Sequence, residues 1–151
     1  MISPKLKEYL DSNAVKYQSL PHEPAADAAR TAHVAHVPGR EFAKAVIVKA
    51  NGRLTMAVVP ATDHVHVKEL KQALGAADLE LADEDEIRAA FPDCEVGAMP
   101  PFGNLYGMEV FVNEHLREDD SIVFNAGSHD EALRMSYQDF DRLVHPQVLH
   151  F

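Results

Sequence analysis

The dipeptide Asn51-Gly52 constrains the fold more than any other part of the chain. It stands between two apolar runs, Ala45-Val46-Ile47-Val48-Lys49-Ala50 and Arg53-Leu54-Thr55-Met56-Ala57-Val58-Val59. Asn and Gly both tolerate positive φ, which a two-residue hairpin turn needs if its twist is to match that of its strands. Such a turn leaves one register: Ala50 opposes Arg53, and counting back sets Lys44 opposite Val59. Strand side chains alternate between faces, so Lys44 shares a face with Val46 and Val48 and ends an apolar row. A lysine in that setting loses hydration, which disfavours its charged form. It can serve as base or nucleophile, or stay charged and hold an anionic or carbonyl oxygen. The plainer alternative is a strand-edge lysine whose ammonium reaches water.

Further local signals surround the hairpin. Ser3-Pro4 opens a helix with Leu6, Tyr9 and Leu10 on one face. Val15 to Leu20 reads as a short strand, Ala25 to Val34 as a helix, and Pro38-Gly39 as a turn. Val67, Leu70 and Leu74 recur at helical spacing before Gly75, a natural stop. Asp83-x-x-Glu86 has the form of a capping box, and Pro92 ends the helix it opens. Glu109 to Val112 and Ser121 to Phe124 read as strands. Ser136-x-x-Asp139 opens a last helix that buries Phe140, Leu143 and Val144 and stops at Pro146. Strands and helices alternate without βαβ spacing. The expected fold is α+β, a single domain over 1–151 with a curved, mixed, barrel-like β-sheet flanked by helices.

The segment from Val96 to Met108 carries no charge although Glu95 and Glu109 flank it, in a chain of formal net charge −10. Its run Gly97-Ala98-Met99-Pro100-Pro101-Phe102-Gly103 combines backbone freedom with proline stiffness. It reads either as the lining of a small-molecule pocket or as a connector that covers the core. A second candidate is Asn125-Ala126-Gly127-Ser128-His129, directly after an expected strand. Gly127 and Ser128 there would expose backbone N–H groups able to stabilise an oxyanion, and His129 could orient substrate or move a proton. A plain turn with a surface histidine is the alternative.

Other chemistries find little support. The single cysteine, Cys94, excludes an internal disulfide and a multi-Cys zinc site. Its acidic neighbours Asp93 and Glu95 would raise the thiol pKa, the wrong direction for a nucleophile. The pairs His33-x-x-His36 and His64-x-His66 lack the spacing of a zinc motif, so no metal is expected. Neither dinucleotide nor phosphate-loop fingerprints occur, and no cofactor is expected. The acidic balance argues against broad nucleic-acid binding while leaving room for contact with a strand end. No apolar segment is long enough to span a bilayer or act as a secretory leader, and the expected location is the cytoplasm.

Three pieces, taken in order, carry a resemblance: Pro38-Gly39-Arg40-Glu41-Phe42-Ala43-Lys44 leading into an apolar strand, the Gly97–Gly103 run, and Asn125-Ala126-Gly127-Ser128-His129. Their order and spacing resemble the YbaK-type aminoacyl-tRNA deacylases, the prolyl-tRNA-synthetase-associated editing domain, over nearly the whole chain. The resemblance implies a single α+β domain with a nearly closed sheet. It implies hydrolysis of the ester between a wrong amino acid and the 3′ end of tRNA, with catalytic positions at Lys44, Gly127 and His129. Substrate-binding positions fall at Gly97, Met99, Pro100, Pro101, Phe102, Gly103 and Ser128. The implied partners are the aminoacyl end of tRNA and a synthetase or translation factor, with no membrane. Many relatives have threonine after the lysine where this chain has Ala45. That departure and the negative charge leave a second reading: a non-catalytic module on the same fold that binds an amino acid, a nucleotide or a partner.

Overall fold

Asn51 and Gly52 both adopt positive φ, 52° and 80°, and the hairpin they close has the expected register. The computed structural model describes residues 1–25 and 27–151; Ala26, within the segment expected to be helical from Ala25, lies outside the described residues. Strands β2 (Ala43–Ala50) and β3 (Arg53–Pro60) pair antiparallel, with Ala50 opposite Arg53 and Lys44 opposite Val59. Asn51 does more than turn the chain. Its side-chain oxygen accepts from the amides of Ala77 and Asp78, both at 3.0 Å, and so seats the lead-in to β4 (Leu79–Leu81) against β2.

The helices begin and end on the residues that cap them. Ser3 caps α1 (Pro4–Ser12), and Asp27 caps α2 (Ala28–Val34). Gly75, in the left-handed region, closes α3 (Val67–Leu74). Asp83 and Glu86 form the reciprocal capping box of α4 (Glu84–Ala90), and Ser136 caps α5 (Tyr137–Val144). Each cap satisfies amides or carbonyls that the helix leaves unpaired.

The remaining strands are β1 (Tyr17–Pro21), β5 (Val110–Asn113), β6 (Ser121–Ser128), β7 (Glu131–Ser136) and β8 (Gln147–Leu149). A five-stranded sheet has the order β4-β2-β3-β5-β8 and is mixed, because β5 lies parallel to both β3 and β8. A three-stranded antiparallel sheet has the order β1-β7-β6. One parallel bridge, Phe42 to Val123, joins them. The α+β class and the mixed pairing match the expectation. A single barrel-like sheet does not: the described strands form two sheets that touch at one bridge, with no closed barrel.

Strand alternation sorts side chains into three packed groups. Ala43, Ile47, Met56, Val58, Phe124 and Ala126 face the main core, which α1 and α5 also fill. On the opposite faces, Phe42 and Val123 pack with Ala32 of α2, and Val48 and Val59 pack with Leu70 of α3. Among the described residues, no helix is long and apolar enough to cross a membrane.

Candidate active site

The strand β6 runs further than its sequence suggests. Asn125 to Ser128 lies within the strand, where the register against β7 shifts between Asn125 and Ser128. This is a bulge, and such irregularities bend a strand and re-aim its side chains. Gly127 sits in it with φ of 113°. A Cβ at that position would come within 3.0 Å of Ser3 Cβ and 3.1 Å of Ser3 N. Glycine is therefore required by the start of α1, whose Ser3 N–H donates to Ala126 O at 2.7 Å. The same bulge holds the glycine-proline loop. Glu95 N–H donates to Gly127 O at 2.8 Å, and Gly127 N–H donates to Ala98 O at 3.0 Å. The two glycine segments thus meet, and the Gly127 amide is occupied by a protein carbonyl instead of standing open as an oxyanion donor.

His129 follows the bulge. Its Nε2 lies 2.8 Å from Val96 O. A carbonyl only accepts, so Nε2 carries the hydrogen and Nδ1 is the nitrogen left for another partner. The Glu95 carboxylate lies 3.9 Å from Nε2. A Cβ on Gly97, whose φ is 89°, would stand 3.3 Å from the ring's Cε1, so loop and imidazole are in close contact. Pro24, Ala25, Glu95, Val96 and His129 surround an open cleft of about 390 Å³. Ser128 is buried beside it, but its hydroxyl is committed: it accepts from the Met1 amino group and donates to Asp130, both at 2.6 Å. These bonds, first that from Met1 and then that from Ser128, hold the Asp130 carboxyl down at about 2.

Lys44 is half-buried on the face of β2 that carries Phe42 and Val46, between the α2 and α3 packing groups. Ion pairs of lysine side chains among the described residues belong to Lys7 and Lys49; Lys44 has none. The Phe42–Val123 bridge runs parallel, and Lys44 and Asn125 each follow it by two residues. Both lie on the face turned toward α2.

The loop itself divides. Its Glu95–Val96 edge meets the cleft. Met99 and Phe102 pack in the main core, and Pro100 and Pro101 are buried. Gly103 is buried against β3 and β5, where a Cβ would meet Val110 Cγ2 at 3.0 Å and Met56 Cβ at 3.2 Å. These five positions, given to substrate by the resemblance, form the loop's anchor in the protein interior. The loop's neutrality follows from that burial. Cys94 sits under the loop with its thiol pushed up to about 11, mainly by burial. Asp93 beside it accepts from Ser3 and from Tyr106, the latter at 2.9 Å. Burial opposes its charged form, yet these bonds hold its carboxyl below the ordinary value. No group of three His, Cys, Asp or Glu side chains able to hold a metal occurs among the described residues. A larger cavity, about 530 Å³, lies at the turn end of the hairpin beside Asn51, Arg53 and Gly107. Six residues of strand, roughly 20 Å, separate it from Lys44. It contains none of the groups gathered around His129.

Comparison with known proteins identifies the family and the fold. The model of the aminoacyl-tRNA editing domain matches residues 22–143, a span that includes Lys44, the glycine-proline loop and His129. The chain belongs to this family. Relatives in Escherichia coli strains K12 and O157:H7, named as multifunctional Ser/Thr-tRNA deacylase ProXp-y, are each 24% identical over 152 residues, covering 97% of this chain and 90% of theirs. A crystal structure described as a candidate trans-editing enzyme for prolyl tRNA synthetase superposes with a TM-score of 0.83 at 17% identity, covering 100% of this chain and 99% of that one. The protein APE2540 superposes with a TM-score of 0.84 at 20% identity, covering 95% and 96%. At such identities the superpositions establish the fold. Sequence reasoning passed over Asn125 as a site residue, because nothing local distinguishes it from a turn asparagine.

Proposed function

We propose that this editing domain acts in trans as an aminoacyl-tRNA deacylase, hydrolysing the ester that joins a wrong amino acid to the 3′ end of tRNA. The observation that carries the reading is the position of Lys44: a half-buried ammonium without a carboxylate partner, on the strand that bridges to β6 just before the bulge and His129. Family membership supplies the reaction class, and the names of the E. coli relatives point to seryl and threonyl esters first.

In this mechanism the Lys44 ammonium donates to the ester carbonyl oxygen, where negative charge develops. Preorganised charge at that point stabilises the tetrahedral intermediate more than the ground state. With the Gly127 amide occupied, Lys44 takes the main oxyanion role. A water molecule, relayed by a terminal ribose hydroxyl, attacks the carbonyl carbon. Collapse breaks the bond from that carbon to the ribose oxygen, which takes a proton, and releases the free amino acid. No covalent bond to the protein is needed. His129, fixed through Nε2, orients the aminoacyl-adenosine end with Nδ1. Gly97 lets the loop approach that end closely.

A second pocket of this kind answers a physical limit: one methylene is worth only about 1–3 kcal/mol in a synthetase site, too little for faithful selection. The chain's net charge of −10 allows no broad grip on the tRNA body. It holds the aminoacyl end and gains further affinity through a synthetase or a translation factor. The test is a panel of Ala-, Cys-, Ser-, Thr- and Pro-charged tRNAs incubated with the purified chain. Accelerated ester loss on at least one, together with weak and salt-sensitive binding of uncharged tRNA, is the expected result. Ester lifetimes unchanged across the panel would overturn the reading and leave a binding module.

A further inference from the structure

Asn125 is 6% exposed, and its side-chain oxygen is fully enclosed without a hydrogen-bond partner among the described residues. A buried acceptor left unpaired is costly, so its retention asks for a partner that arrives from outside. Its place in the fold says where. Asn125 sits opposite Ala132 of β7, on the face of β6 that Val123 presents to α2. The parallel bridge at Phe42–Val123 lies two residues before both Asn125 and Lys44. A cation donor and a neutral acceptor therefore follow the same bridge, on the face turned toward α2.

An aminoacyl ester has matching complementarity. Its carbonyl oxygen is an acceptor, and its α-ammonium, one carbon away, is a donor. We infer that Asn125 accepts a hydrogen bond from the α-ammonium of the bound aminoacyl group and so makes the site selective for esters with a free amine. The inference rests on the deacylase reading and deepens it. A carboxylate in the same position would pair with Lys44 and withdraw it from the carbonyl; an amide oxygen binds the amine without that competition. Peptidyl- and other N-acylated tRNAs, which lack the ammonium, are then poor substrates. A pocket selective in this way would spare growing peptide chains.

The experiment compares aminoacyl-tRNA with its N-acetylated form, using wild type and Asn125→Leu. Wild type is expected to hydrolyse the free-amine ester at least tenfold faster in kcat/KM. Asn125→Leu should bring the free-amine rate down to that of the acetylated ester, which itself stays unchanged. Its melting temperature should equal or exceed that of wild type, because the variant removes an unpaired polar atom. Equal loss on both substrates would show a merely structural role and overturn the inference, as would a wild type indifferent to acetylation. A second measurement is independent of turnover: binding of a non-hydrolysable 3′-amide-linked aminoacyl-adenosine, with and without its free amine. Amine-dependent binding that Asn125→Leu abolishes, in a protein that hydrolyses no ester, would sustain the inference and overturn catalysis. Binding indifferent to the amine in wild type would overturn the inference whatever the rate.

Discussion

Replacing Gly127 with alanine adds one methyl group, and the structure says what it meets. The new Cβ would lie 3.0 Å from Ser3 Cβ and 3.1 Å from Ser3 N, on a residue whose φ is 113°. Holding an L-residue in a sparsely populated backbone region costs about 1–3 kcal/mol. Ser3 cannot retreat freely, because its N–H donates to Ala126 O at 2.7 Å and its hydroxyl to Asp93. Losing one such bond costs about 1 kcal/mol more. The expected destabilisation is therefore about 2–4 kcal/mol, and at roughly 2–4 °C per kcal/mol for a domain of this size the melting temperature should drop by about 5–15 °C. The assay is thermal and urea unfolding of wild type, Gly127→Ala, Ser3→Gly and the double variant. Because the two residues touch, the double variant should lose less than the single losses combined, with a coupling of about 0.5–3 kcal/mol. A Gly127→Ala protein that melts with wild type but no longer cleaves ester would refute the reasoning. Gly127 would then act on substrate and not on Ser3.

Three further outcomes are expected. Cys94→Ser should keep deacylation within about twofold, and the native thiol, pushed up to about 11 by burial, should react slowly with alkylating reagents at neutral pH; loss of rate without unfolding would contradict this. Asp130 is depressed to about 2, so its contribution to stability is complete above the ordinary carboxylate value near 4 and is lost as pH falls toward 2. Asp130→Asn should flatten that acid limb in pH-dependent melts, and an unchanged limb would place the effect elsewhere. His129→Ala removes the Nδ1 contact proposed for the aminoacyl end together with the 2.8 Å bond to Val96 O. Loss of the first should lower kcat/KM by up to about tenfold, the value of one hydrogen bond at about 1.4 kcal/mol, and loss of the second should lower the melting temperature by a few degrees; a rate equal to wild type would remove His129 from the site.

What the sequence disclosed depended on how local each signal is. The hairpin, the capping box at Asp83, the stop at Gly75 and the helix start at Ser136 each rest on a few adjacent residues, and each stands where expected. The short strands β4 and β8 rest on pairing with β2 and β5, not on a pattern of their own, and went unread. So did the parallel contacts of β5, which join distant segments. Asn125-Ala126-Gly127-Ser128 has the composition of a turn, yet β7 and the start of α1 hold it as a bulged strand. The glycine-proline loop was legible as a special segment but ambiguous in purpose. Met99 and Phe102 pack inward, and Glu95 and Val96 at the loop's early edge line the cleft. Asn125 acquires meaning only from its enclosed oxygen and from the Phe42–Val123 bridge that both it and Lys44 follow, neither of which leaves a trace in its neighbours along the chain.

The central role given to Lys44 is tested most directly by single-turnover ester hydrolysis with Lys44→Met, a change that keeps an unbranched apolar stem in the row between Phe42 and Val46 and removes the ammonium. The substrate is whichever mischarged tRNA wild type cleaves fastest. The account predicts a fall in rate of about 10²–10³, the worth of one preorganised oxyanion donor, with a melting temperature at or above that of wild type. A Lys44→Met protein that is fully folded and cleaves within threefold of wild type would contradict it.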